Sequence, residues 1–331
     1  MIIFVDHINY LKIEVMNSLV IRLFCVITFL SLFIQVKAQS PIQVVYNRQP
    51  DNSVDFTFKK SLYGTYFITI EFDNLENAYG DSYSTTITGN AGRVCTLKPK
   101  NSEQGINFSY SYRYQQGKPM PKIKDDIVYT LPFEIGTKVK VHPLDYLGAT
   151  LGDGVPDTWK AFQFTSEKEE VVVAARRGLV VKVVDEFSTD TSRNYSFVRS
   201  VNEILIEHKD GTLARYSGFK VGSIKVKEGQ FVEANSELGL SGRYNSDKQC
   251  QLKLAIYYLN TRDILNANTD AEKANQYGYV NPVFCYKGGS AILLMNNYYV
   301  ATCTDEIITQ EFSKREKKKY VSSLFTNVGE Q

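Results

Sequence analysis

Apolar and polar residues alternate with a period of two along much of this chain. Val54, Phe56 and Phe58 alternate with polar neighbours, and Tyr66, Ile68, Ile70 and Phe72 repeat the pattern. Phe108, Tyr110, Tyr112 and Tyr114 form a third stripe, with Asn107, Ser109, Ser111 and Arg113 on the other face. Period two puts successive side chains on opposite faces of a strand. Turn clusters separate the runs at Asp51-Asn52-Ser53, Thr88-Gly89-Asn90 and Gln116-Gly117-Lys118-Pro119. Short strands with polar outer faces predict a β-sandwich domain over residues 39–130. The aromatic stripe reads first as its core face and second as a platform for sugar rings.

Pro119, Pro121 and the charged residues after them predict a linker. A second β-rich domain is expected over residues 131–262, with strands at Val171–Ala174, Leu179–Val184, Glu203–His208, Ala214–Phe219 and Leu252–Tyr258. Asp210-Gly211 is a hairpin signal between two of them. Residues 263–331 predict a mixed β and helical extension. Strands near Val280–Tyr286, Ala291–Met295 and Tyr298–Thr302 read as a meander, and a helix is expected from Asp305. Ile308 and Phe312 share one face of that helix. Lys314, Arg315, Lys317, Lys318 and Lys319 load its C-terminal end, where the dipole favours cations. Such a run is a solvated helix end or a contact for an anionic wall polymer or membrane. The fold class expected is therefore all-β, with two β domains and a short extension.

The first 38 residues read as a secretory leader, with Met16 as an alternative start. Arg22 precedes the apolar run Leu23–Ile34, and Gln35-Val36-Lys37-Ala38 supplies a cleavage site. The run is shorter than the ~20 apolar residues that span a bilayer, so a cleaved signal is preferred to an anchor. No later segment is long and apolar enough to cross a membrane, and a secreted or periplasmic protein is expected. Lys and Arg number 38 against 36 Asp and Glu, a net charge of +2, and nothing in that balance points to nucleic acid. The 22 Tyr and 19 Phe suit extracellular β-structure. Cys95, Cys250, Cys285 and Cys303 follow the leader, in an order that permits three disulfide connectivities. On a meander, Cys285 and Cys303 stand two strand spacings apart, about 9–10 Å. That exceeds the roughly 7 Å a disulfide tolerates, so no pair is assigned. None of the four has zinc-site spacing.

Four segments in order carry a resemblance: YTLPFEIGTKVKV (129–141), KAFQFTSEKEEVVVAARRGLVVKVV (160–184), ILIEHKDGTLARYSGF (204–219) and IKVKEGQFVEANSELGLSG (224–242). Together they resemble the LytM/lysostaphin-like zinc metallopeptidases, whose active members cut peptide cross-links in bacterial cell walls. The lead-in LPFEIG after a β-domain is similar to secreted members of Bacteroidetes type. The resemblance implies a duplicated-hybrid-motif β domain. It also implies one zinc, held by a His and an Asp before the AA..G strand and by the second His of an H-x-H element. Zinc of this kind needs three N, O or S ligands and an open position for water. The Asp position corresponds to Gln163 and the His before it to Trp159. The His after the DG turn corresponds to Gly218, and the H-x-H element to Gln251-Leu252-Lys253. The chain holds three histidines, His7, His142 and His208. His7 lies in the leader, His142 in the loop-like Val141-His142-Pro143, and His208 at a position the family uses structurally. Zinc is thus expected to be lost, and no other cofactor is implied. An ammonium at Lys253 facing the site repels a divalent cation.

Other chemistries have weaker signals. A carrier domain lacks its lysine tripeptide at a hairpin tip. Asp153 and Asp157 flank Gly154 without the oxygen ligands of a calcium loop. Glu167, Glu169 and Glu170 read as a solvated loop before they read as a glycosidase pair. No nucleophile-elbow or phosphate-loop motif occurs. Two readings of function remain. In the first, the chain is a non-catalytic binding or regulatory protein whose groove, at Trp159, Gln163, Gly218, Gln251 and Lys253, docks peptidoglycan, a wall peptide or a cell-envelope protein. In the second, it is an active zinc endopeptidase with unusual ligands.

Overall fold

The structure, a computed structural model, describes residues 40–144, 158–188, 201–243, 249–260 and 276–328. The expected leader and the Asp153/Asp157 loop lie outside the described residues. Val44–Gln331 forms one compact unit, which carries almost all of the described secondary structure.

Among the described residues the chain is all-β apart from two short helices at its end. The first strands are β1 (Ile42–Arg48), β2 (Val54–Lys60), β3 (Tyr66–Glu76), β4 (Ser82–Ile87), β5 (Ala91–Leu97) and β6 (Asn107–Gln116). They make two three-stranded sheets, ordered β1-β2-β5 and β4-β3-β6. The alternating residues of β2 and β3 are buried between them, Phe56, Ile68 and Ile70 completely. The β6 aromatic stripe belongs to this packing. Phe108 and Tyr110 meet the Phe56 ring at 5.5 and 5.2 Å, and Tyr114 meets Tyr66 at 6.0 Å. These rings stay half-buried because β6 is an edge strand, with β3 alone beside it among the described strands.

Next come β7 (Val128–Thr130), β8 (Lys138–Pro143), β9 (Phe162–Ser166), β10 (Val171–Val173), β11 (Gly178–Val184), β12 (Glu203–Glu207) and β13 (Leu213–Ser217). After them lie β14 (Phe231–Val232), β15 (Glu237–Leu240), β16 (Cys250–Leu259), β17 (Tyr277–Tyr279), β18 (Val283–Tyr286), β19 (Gly289–Ile292) and β20 (Tyr298–Val300). The main sheet runs β14-β11-β12-β13-β16-β9-β8-β20, with β17 also on β16. One face packs on the β10–β15 pair and on the small sheet β19-β18-β7, burying Phe133, Phe162, Phe164, Leu252, Leu254, Tyr216 and Phe284. Tyr216 uses its hydroxyl inside that core by accepting from the Ala175 amide at 2.9 Å, as a buried phenol must.

The extension differs from the expected meander. β20 leaves β19 and pairs with β8, with Tyr298 opposite Lys140. Tyr286 then bridges directly to Ala301, so the segments bearing Cys285 and Cys303 are neighbours at that point and not two spacings apart. The four cysteines are thiols in the structure. The single helix expected from Asp305 is two, α1 (Asp305–Thr309) and α2 (Lys314–Val328), and Phe312 lies in the break. Ser313 and Glu316 explain it. Glu316 accepts the Ser313 amide at 2.7 Å while the Ser313 hydroxyl accepts the Glu316 amide at 3.3 Å, a capping box that starts a helix afresh. The segment between the helices is anchored. The Gln310 amide bonds both backbone groups of Val128, and Arg177 lies between the Phe231 and Phe312 rings, 5.0 and 4.4 Å from their centres.

Candidate functional site: a groove on the outer face of the main sheet

β16 alternates strictly. Leu252, Leu254 and Ile256 enter the core, so Gln251, Lys253, Ala255 and Tyr257 face the other way. Its partners extend that outer face across five strands. Lys253 stands opposite Gln163 on β9 and Ser217 on β13. Gln163 stands opposite His142 on β8, and Ser217 opposite Glu203 on β12. Directly opposed residues share a face, so His142, Gln163, Lys253, Ser217 and Glu203 form one row. One step along the strands, Tyr298, Lys140, Thr165 and Gln251 form the next row. On the other side lie Leu205, Arg215 and Ala255.

A cavity of about 300 Å³ sits on this face. Lys253, Ala255, Tyr257, Arg215 and Ser217 make its floor, and Leu144, Trp159, Tyr277 and Tyr279 its wall. Trp159 is half-buried. Its indole nitrogen donates to the Leu144 carbonyl at 3.0 Å, and its ring meets Tyr279 edge-on at 4.6 Å. The indole therefore stands at the rim of an open pocket.

All five residues singled out in the sequence fall on or beside this face. Gln163 and Lys253 are directly opposed, and Trp159 and Lys253 line one cavity. Gln251 lies one step away, next to Gly218. Gly218 has φ +110°, and a Cβ there would stand 2.6 Å from the Gln251 carbonyl oxygen. Only glycine lets the chain turn this close to β16. Gly218 thus shapes the floor and offers no side chain to a ligand.

His142, Arg215 and Tyr279 are among the contributors that the sequence reading did not place at the site. His142 is not in a loop: β8 extends through it, and it faces Gln163. The signal was present in Lys138-Val139-Lys140-Val141-His142, whose apolar members are buried in alternation. Its Nε2 lies 3.0 Å from the Thr165 hydroxyl. Arg215 and Tyr279 had no local signal, since only the pairing of β13 and β17 with β16 brings them to the cavity.

The electrostatics of the floor are cationic. Glu203 is buried and held by Lys182 at 2.9 Å and by Arg215 Nε at 2.6 Å. Burial alone would push its carboxyl up, but Lys182 and Arg215 outweigh it and keep it below the usual carboxylate range. Burial raises the Tyr257 and Tyr277 phenols, which stay protonated. In the β9–β10 loop, Glu169 pairs with Lys220 at 2.8 Å, with both side chains partly exposed, as expected of a solvated loop.

The donor set does not fit zinc. The row offers one imidazole, placed against Thr165, beside an amide, an ammonium, a hydroxyl and the Glu203 carboxylate, which Lys182 and Arg215 already hold. Among the described residues no group of three His, Cys, Asp or Glu is placed to hold a metal ion. His208, the other histidine among the described residues, is fully buried elsewhere, its Nδ1 2.8 Å from the Arg177 carbonyl.

No family model and no curated protein matches the chain. Among solved structures it is similar to a putative peptidase M23 from Pseudomonas aeruginosa, at 10% identity over 66% of this chain and 90% of that one, with a TM-score of 0.28. It is similar to Helicobacter pylori Csd3 at 10% identity, over 87% and 79% of the two chains, with a TM-score of 0.26. A zinc-containing peptidase from Vibrio cholerae is 16% identical over 65% and 74%, with a TM-score of 0.24. At these values the likenesses decide neither activity nor ligand.

Proposed function

We propose that the chain is a non-catalytic binding protein of the cell envelope, related to the LytM/lysostaphin-like peptidases, whose outer-face groove docks a wall fragment, peptide or envelope-protein segment without cleaving it. The observation that carries this reading is the direct opposition of Gln163 and Lys253 beside the cavity walled by Trp159. These are the positions where the resemblance places ligands of a zinc ion. They hold an amide and an ammonium, which bind by hydrogen bond and charge, and the ammonium has no lone pair to give a metal. An indole at the rim adds a face for stacking. Export through the leader, with a mature chain starting at Gln39, belongs to the same reading and is checked by the N-terminal sequence of the protein recovered outside the cytoplasm.

The test is a peptidoglycan and envelope-extract pull-down with Trp159→Ala/Lys253→Glu beside the wild type. The double variant is expected to lose the retained ligand with its melting temperature nearly unchanged. Binding that survives the double change removes the groove from the reading. The position of His142 in the same row as Gln163 and Lys253 favours a second reading, a zinc endopeptidase with unusual ligands. Metal analysis of the purified protein separates the two: stoichiometric zinc that is lost in His142→Ala supports the enzyme and overturns the first reading.

A further inference from the structure

The groove has a blind end. Beyond Ala255 and Tyr257 the N-terminal sandwich lies against the same face of the sheet. The Thr65 amide donates to the Glu207 carboxylate on β12 at 2.7 Å, and the Thr65 hydroxyl bonds the other oxygen. Gly117 lies over Leu213 and Leu259, where even a Cβ would meet Leu213 Cδ1 at 3.4 Å. Pro119 bridges Leu259, and the Met120 amide donates to the Leu259 carbonyl at 2.8 Å. The Gln115 side chain is bonded to Gln276, which precedes Tyr277 of the cavity wall. A chain laid along β16 through the cavity therefore runs into the sandwich.

Charge marks the same place. Lys253 and Arg215 both line the cavity floor, and no carboxylate stands among the described residues that line it. Glu203, the acidic member of the neighbouring row, is already matched by two cations, Lys182 and Arg215. At about 300 Å³ the cavity is at the small end of ligand pockets, which run to ~1,000 Å³, and suits the end of a chain better than a long stretch of it. Trp159 and Tyr279 give the wall its aromatic surface, Tyr279 standing directly opposite Tyr257, and the protonated Tyr257 and Tyr277 phenols add neutral donors.

We propose that this pocket takes the free carboxyl end of a peptide, with the carboxylate on Lys253 and Arg215 and the last residue against Trp159. The proposal rests on the groove being a docking site. A carboxylate brings charge-assisted hydrogen bonds that an amide cannot form with cations, and the blind end excludes the middle of a chain.

The chain has one tryptophan, so the emission of Trp159 reports directly on this pocket. The experiment titrates the full-length protein with a library of N-acetylated tripeptides, each as the free acid and as the C-terminal amide. The free acids are expected to shift Trp159 emission with affinities about tenfold or more above the amides. In Lys253→Met, which keeps the apolar stem, that preference is expected to vanish. Equal affinity of acid and amide in the wild type overturns end recognition and leaves the groove as a docking site. No emission response to either form overturns both. Should the variant unfold, the acid-against-amide comparison on the wild type still decides.

Discussion

Arg176 grips Glu311 through two parallel hydrogen bonds, Nε to one carboxylate oxygen at 2.8 Å and Nη2 to the other at 2.7 Å. The same guanidinium bonds Asp210 at 2.9 Å and the Tyr129 hydroxyl at 3.0 Å, and all three ionic side chains are at most 2% exposed. Four distant points of the chain thus meet at one buried cation: β7, the turn before β11, the β12–β13 hairpin and the segment between α1 and α2. Burial alone would raise both carboxyls, but Arg176 overrides it and holds Asp210 and Glu311 below their ordinary range.

Breaking that fork leaves a buried guanidinium short of a partner, at a cost of about 3 kcal/mol. Glu311→Ala is expected to lower the urea midpoint accordingly, with little change in slope, and to speed amide exchange across α1 and α2. Exchange there that matches the wild type would show that the helices are held by something other than Arg176.

His208 makes stability depend on pH. Burial, and then the nearby Arg176 charge, lower its pKa to about 4, and its Nε2 is buried without a partner. The folded state therefore keeps the ring neutral, while the unfolded chain takes up a proton below its ordinary value of about 6.5. The penalty is absent above that value, grows as pH falls from 6.5 towards 4, and reaches about 2 kcal/mol at pH 5. Asp210 and Glu311 act in the same direction lower down: their depressed carboxyls stabilise the fold above the ordinary carboxylate range and lose that effect as pH falls through their folded values. Chemical denaturation at pH 7 and pH 5 should show the loss, and His208→Gln should flatten it over that interval. A variant with the wild-type pH slope would move the origin of the effect elsewhere.

Gly218→Ala tests whether the floor of the groove depends on close approach of the backbone. A Cβ at φ +110° and 2.6 Å from the Gln251 carbonyl has no room. Such strain costs of order 1–3 kcal/mol. The expected outcome is a lower melting temperature together with altered Trp159 emission. A variant as stable as the wild type, with unchanged emission, would mean that the turn after β13 yields without disturbing the floor.

Much of the fold was legible in the chain. The period-two runs at Val54–Phe58, Tyr66–Phe72 and Asn107–Tyr114 became β2, β3 and β6, and Asp210-Gly211 became the β12–β13 turn, with Gly211 at φ +91°. These signals are local, because the pleat and the turn dihedrals are set by adjacent residues. The motif-bearing positions Trp159, Gln163, Gly218, Gln251 and Lys253 could likewise be named from the sequence. Their arrangement could not. That Lys253 faces Gln163 depends on the register of β16 against β9, strands more than eighty residues apart in the chain. Register is fixed by the burial of Leu252, Leu254, Phe162 and Phe164, a property of the assembled core. The same holds for β20, which left its sequence neighbour for the free edge of β8. It holds too for Arg176, which directly precedes Arg177 and β11 in the chain and is found almost wholly buried. Its partners Asp210 and Glu311 come from remote segments, and no pattern within a strand records a charge that is matched only when the tertiary structure closes around it.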